Sequence, residues 1–97
     1  MTYVLSESAE QDIVKLYRSG VELFGPAQAE SYLIAVLDQL DLIFREPLLF
    51  AEKHELEPVP RVCFYESHVI LYRVLEDGEV RIERVRHQRE NWLTADS

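Results

Sequence analysis

The chain has a single cysteine, Cys63, so no internal disulfide can staple it. A lone thiol inside a strand-like run reads as free and buried, as expected in a reducing cytoplasm. No apolar run is long enough to span a bilayer, and no basic-then-apolar stretch opens the sequence, so neither membrane insertion nor an export signal is expected. Repeats, linkers and low-complexity tracts are absent as well, which leaves one domain over residues 1–97. The three histidines, His54, His68 and His87, have no partners at metal-ligand spacing, and no metal or other cofactor is expected.

Positive charge is also in short supply. Ten lysines and arginines face eighteen acids, for a net charge of −8. Residues 1–60 carry four cations against eleven acids, whereas residues 61–97 are nearly balanced. From Arg81 to Arg89 the sign reverses, with Arg81, Arg84, Arg86 and Arg89 against Glu83 alone. An acidic body repels a polyanion at long range, so extended nucleic-acid binding is disfavoured. A local contact with a small anion or an acidic protein segment is not.

What the chain does have is a β-rich second half. Between Arg61 and Trp92, β-branched and aromatic residues form three runs separated by Glu66-Ser67 and Glu76-Asp77-Gly78-Glu79. The Asp-Gly pair is a strong hairpin signal, and three successive strands imply an antiparallel meander. The first half supplies its cover. Ser6 or Ser8 offers a helix N-cap, and Ala9, Ile13, Leu16, Tyr17, Gly20 and Phe24 then recur at helical spacing. Gly25-Pro26 ends that helix and starts another, whose stripe is Ala29, Leu33, Val36, Leu37, Leu40, Ile43 and Phe44, before Pro47 stops it. So short a connection makes the helices pack antiparallel. With Thr2–Leu5 as a short first strand, the expected fold is α+β: β-α-α-β-β-β, two layers, a helical hairpin on an antiparallel sheet.

Two segments resist this scheme. Leu48 to Pro60 is irregular and reads as a crossover loop over the sheet edge. In the last strand Val80 and Ile82 share a face but Val85 falls on the other. Either a bulge shifts the register, or the strand is covered on both faces, the second cover being a partner chain.

Taken in order, these segments resemble the ParE branch of the RelE/ParE toxin superfamily of bacterial toxin–antitoxin pairs. The carrying residues are Leu5-Ser6, Ala9-Glu10-Gln11-Asp12-Ile13 and the run Phe24 to Tyr32, with its Gly-led turn and Gln-Ala-Glu-x-Tyr pattern. Most specific are Ser67-His68-Val69-Ile70-Leu71-Tyr72-Arg73-Val74 and Arg84-Val85-Arg86-His87-Gln88-Arg89, similar to the family's SHVIFYRV and RVLHxR strands. The resemblance implies a first strand lying beside the last, and a cognate ParD-like antitoxin that wraps the toxin in a hetero-oligomer. It also implies poisoning of DNA gyrase through protein–protein contact, with no catalytic residue to carry over. The chain departs from the family in its acidity, since such toxins are usually closer to neutral or basic.

Site residues follow from that reading. Arg84, Arg86, Arg89 and Trp92 are expected to contact the target, since arginine and tryptophan are favoured at interfaces. Trp92 has a second role open to it, plugging the open end of the core. Leu48 and Phe50, with Tyr65 and Tyr72 on the strands, are expected to face the antitoxin, although strand tyrosines are more often packed. An alternative comes from relatives on the RelE side, which cleave mRNA on the ribosome. Such a ribonuclease would need Arg61 and Arg86 for phosphate, His87 and Glu55 or Glu57 for proton transfer.

Overall fold

In the computed structural model, which describes residues 3–93, the elements run β1 (Val4–Leu5), α1 (Glu7–Phe24), α2 (Pro26–Arg45), β2 (Arg61–Tyr65), β3 (His68–Val74) and β4 (Val80–His87). Thr2, expected at the start of β1, lies outside the described residues. The sheet order is β1-β4-β3-β2, so the first strand does lie beside the last. It runs parallel to β4, with Val4 opposite Arg81, and the sheet is therefore mixed rather than wholly antiparallel.

Local chemistry sets the helix ends. Ser6 is the N-cap of α1, its Oγ accepting the Ala9 N–H at 2.9 Å, while Ser8 lies inside the helix. Gly25 is the whole joint between the helices. Its φ of 88° and ψ of 161° belong to a region that side chains strongly disfavour, and Pro26 follows at the first position of α2. At the crossing, a Cβ on Gly20 would sit 3.1 Å from the Ala29 Cβ, so the missing side chain lets the helices close up.

The bulge, and not a second cover, resolves the last strand. Leu71 pairs with Arg84 and Tyr72 pairs with Ile82, which leaves Glu83 as the extra residue on β4. Beyond it the side-chain alternation is reset, and Val80, Ile82 and Val85 all enter the main core with Tyr72, Ile70, Cys63, Val36, Leu40 and Ile43. The β3–β4 turn also differs from a two-residue hairpin. Gly78 N–H bonds the Leu75 carbonyl and Leu75 N–H bonds the Glu79 carbonyl, and of the turn residues only Gly78 has positive φ.

The sheet's other face carries a second, smaller cluster of Val62, Val69 and Leu71, roofed by Leu56 and Trp92. That roof comes from the two irregular segments, the 46–60 loop and the stretch after β4. The loop also covers part of the β2 edge, where Val62 N–H reaches the Ala51 carbonyl at 3.1 Å and Lys53 N–H reaches that of Pro60 at 2.9 Å. The α1 stripe held except at its end, where Phe24 is 62% exposed because the helix runs on past the sheet.

Candidate functional site

The end of β4 is built by α1 as much as by the sheet. With only two residues in β1, the β4 edge needs other partners for its backbone groups. Ser6 supplies two of them, its N–H bonding the Ile82 carbonyl at 2.9 Å and its Oγ donating to the Glu83 carbonyl at 2.8 Å. Asp12 supplies the next: its Oδ2 accepts the Val85 N–H at 2.9 Å and Arg84 Nε at 2.8 Å, while Oδ1 accepts Arg84 Nη2 at 3.1 Å. This bidentate pairing raises the Arg84 pKa further. Glu90 completes the edge, accepting the His87 N–H at 2.9 Å and Arg86 Nε at 3.3 Å, with Lys15 at 3.4 Å. The Arg86 bond, then the His87 N–H, hold its carboxyl down at about 2.

These contacts occupy the arginines expected to meet a target. Arg84 is paired with Asp12, and Arg86 is only 7% exposed against Glu90. Arg73 and Arg81 face each other across β3 and β4, each compensated by its own acid, Glu83 at 2.7 Å and Glu79 at 3.0 Å. Arg61 donates to the Phe50 carbonyl at 2.8 Å. Of the expected target contacts only Arg89 is exposed, and its guanidinium makes no hydrogen bond or ion pair among the described residues. Trp92 sits on the opposite face, edge-on to Phe64 at 5.6 Å between centroids, so it neither plugs the main core nor joins Arg89.

Arg89 lies on the rim of a groove of about 1120 Å³ between the tip of the helical hairpin and the end of the sheet. Leu23, Phe24 and Ala29 form its helical wall, and Tyr32, Tyr65, His68 and His87 its floor. Tyr32 Oη and His68 Nδ1 are 2.8 Å apart, which ties α2 to the first residue of β3. His68 stands edge-on to His87 at 5.1 Å. Burial, helped by His87 and opposed by Glu90 and Asp12, pushes the His68 pKa down to about 4, so its ring is neutral at pH 7. Burial likewise raises the Tyr32 pKa. The His87 Nδ1 accepts the Arg89 backbone N–H at 3.1 Å.

The residues assigned to an antitoxin do not form one surface. Tyr72 is a core residue, fully buried, with its hydroxyl donating to the Pro47 carbonyl at 2.6 Å. Leu48 is exposed and Phe50 packs on the main core, both near the Arg61–Tyr72 end. Tyr65 is at the other end, in the groove. The ribonuclease set is dispersed in the same way. Arg61 pairs with Tyr72 and His87 with His68, four positions apart along β3, or about 13 Å. Arg86 is sealed by Glu90, and Glu55 and Glu57 are exposed on the 46–60 loop. These five groups cannot surround one phosphate in this arrangement. Among the described residues, no three metal-ligating side chains are grouped to hold an ion, and no helix is long and apolar enough to cross a membrane.

Sequence reasoning missed Asp12 and Tyr32. Asp12 figured only within the Ala9-Glu10-Gln11-Asp12-Ile13 run, and Tyr32 only within the Gln-Ala-Glu-x-Tyr run.

The family model described as ParE toxin of type II toxin–antitoxin system, parDE, matches residues 3–92. Toxin ParE1 from two strains of Mycobacterium tuberculosis, CDC 1551 / Oshkosh and ATCC 25618 / H37Rv, is 30% identical over 87 residues, covering 90% of this chain and 89% of the relative. A solved structure titled Chromosomal ParDE TA system from P. aeruginosa superimposes with a TM-score of 0.77 at 21% identity, over 90% of this chain and 95% of that one. That likeness is one of fold.

Proposed function

This chain belongs to the ParE toxin family of type II toxin–antitoxin systems, and on that premise we propose that it is held by a cognate ParD-like antitoxin and inhibits DNA gyrase by contact. The observation that carries the contact reading is the dispersal of the acid–base candidates. Arg61 and His87 stand at opposite ends of the sheet, and Arg86 is sealed against Glu90. A ribonuclease needs donor, acceptor and phosphate-binding groups within reach of the same atoms. An inhibitor needs only a surface, and this one offers an open apolar groove with a cation at its rim. We expect induction of the chain alone to arrest growth with double-strand breaks accumulating in DNA, and co-expression of the antitoxin to restore growth. Arrest accompanied by codon-linked mRNA cuts, without DNA breaks, would refute the proposal in favour of the ribonuclease.

A further inference from the structure

We propose that the open end of the β2 edge, at Phe64, is where an extended strand of gyrase adds to the sheet. The inference rests on the gyrase-contact reading and gives that contact a place and a chemistry. Its first support is the backbone. In an antiparallel strand the N–H and C=O of one residue point to the same side, and successive residues alternate. The Val62 N–H points away from β3, to the Ala51 carbonyl at 3.1 Å. Two residues on, the Phe64 N–H and C=O point the same way, and neither meets a partner among the described residues. The 46–60 loop seals the edge from Pro60 to Val62 and stops short of Phe64. Edges left open are ordinarily blunted by a charge, a proline or a bulge. Here the register with β3 runs unbroken, and the residue at the gap is a phenylalanine, 58% exposed.

The side chains are the second support. Leu56 and Trp92 roof Val62, Val69 and Leu71 but leave Phe64 open, edge-on to Trp92 at 5.6 Å, with Leu93 beside it 47% exposed. Free backbone groups select an extended strand, and the aromatic pair selects an apolar residue on it. Extent and charge then decide whose strand it is. One donor and one acceptor are too few to hold a resident antitoxin and suit a reversible contact with a target. At net charge −8 this chain attracts a strand that carries cations, and an enzyme that handles DNA carries cations to meet its phosphates. A second copy of the chain brings the same −8 and is repelled.

The test uses the full chain and purified gyrase, with affinity read by biolayer interferometry and backbone protection by hydrogen exchange. Phe64→Ala should weaken binding at least about tenfold, with thermal melting to verify that the fold survives. In the wild-type complex, exchange of the Phe64 amide hydrogen should slow at least about tenfold, because a new strand takes it. Val14→Ser, at a half-exposed position on α1, should leave affinity as it was. Wild-type affinity in Phe64→Ala, an unprotected Phe64 amide in the complex, or an equal loss in Val14→Ser overturns the edge site while leaving the gyrase-contact reading intact. Sedimentation of the chain alone as a dimer that Phe64→Ala dissolves gives the edge to a second copy and overturns it too. No binding of the wild-type chain to gyrase overturns the contact reading, and the edge site falls with it.

Discussion

Removing the Asp12 carboxylate should be among the most damaging single changes outside the core. Its two oxygens accept from Arg84 at 2.8 and 3.1 Å and from the Val85 backbone N–H at 2.9 Å. The Val85 group lies on β4 beyond the reach of β1, so nothing else in the sheet can take its hydrogen. Asp12→Ala therefore strands a partly buried N–H and unpairs a guanidinium. A hydrogen bond to a charged acceptor is worth about 1.5–3 kcal/mol. The ion pair adds about 1 kcal/mol, discounted because about a third of the Arg84 side chain meets solvent. The expected loss is about 3 kcal/mol, or about 2.5 M in the urea midpoint at a slope of about 1.2 kcal/mol per M. Asp12→Asn retains a carbonyl for the Val85 N–H and should lose about 1–1.5 kcal/mol. A double-mutant cycle with Arg84→Gln should return a coupling of about 1 kcal/mol. Trp92 emission and far-UV circular dichroism should report coincident transitions. An Asp12→Ala protein within about 0.5 kcal/mol of wild type would refute the reasoning.

Three further outcomes follow from particular contacts. Gly25→Ala should lose about 1–3 kcal/mol by urea denaturation, because φ 88° and ψ 161° are unfavourable for any side chain; an unchanged midpoint would count against the tight interhelical joint. His68 has a folded pKa of about 4 against an ordinary 6.5, so the unfolded chain takes up the proton first as pH falls. Stability should therefore decline from about pH 6.5 to about pH 4, and His68→Gln should flatten that segment of the curve, which parallel melts across the range will reveal. Trp92 is the only tryptophan and meets Phe64 edge-on, so Phe64→Ala should shift its emission to the red while leaving far-UV circular dichroism alone.

The element order was legible because each boundary has a local cause: Ser6 as cap, Gly25-Pro26 as joint, Pro47 as stop, and β-branched runs between turns. The core stripes of both helices were legible for the same reason, apart from Phe24, whose exposure depends on where the sheet ends rather than on helical period. The register of β4 was narrowed to two options by the misplaced Val85, and only the pairing of Leu71 with Arg84 and Tyr72 with Ile82 decides between them. The site was read less well. Arginines 84 and 86 looked available because their acids are hard to assign from spacing: Asp12 is 72 positions from Arg84, and Glu90 lies past the turn that follows β4. Tyr72 and Tyr65 are strand tyrosines of similar appearance, yet one is sealed under Pro47 and the other opens into the groove. No local pattern separates them, because the difference lies in what each meets across the layer: Tyr72 the Pro47 carbonyl just past the end of α2, Tyr65 the Tyr32 ring near its start.

Supercoiling of relaxed plasmid by purified gyrase, with this chain added at micromolar concentration, tests the contact account most directly. Inhibition with trapped double-strand cleavage is expected, relieved by the antitoxin and retained when Arg61 and His87 are both replaced by alanine. Full supercoiling activity at that concentration, or inhibition that vanishes in the Arg61→Ala, His87→Ala protein while its fold is intact, would contradict it.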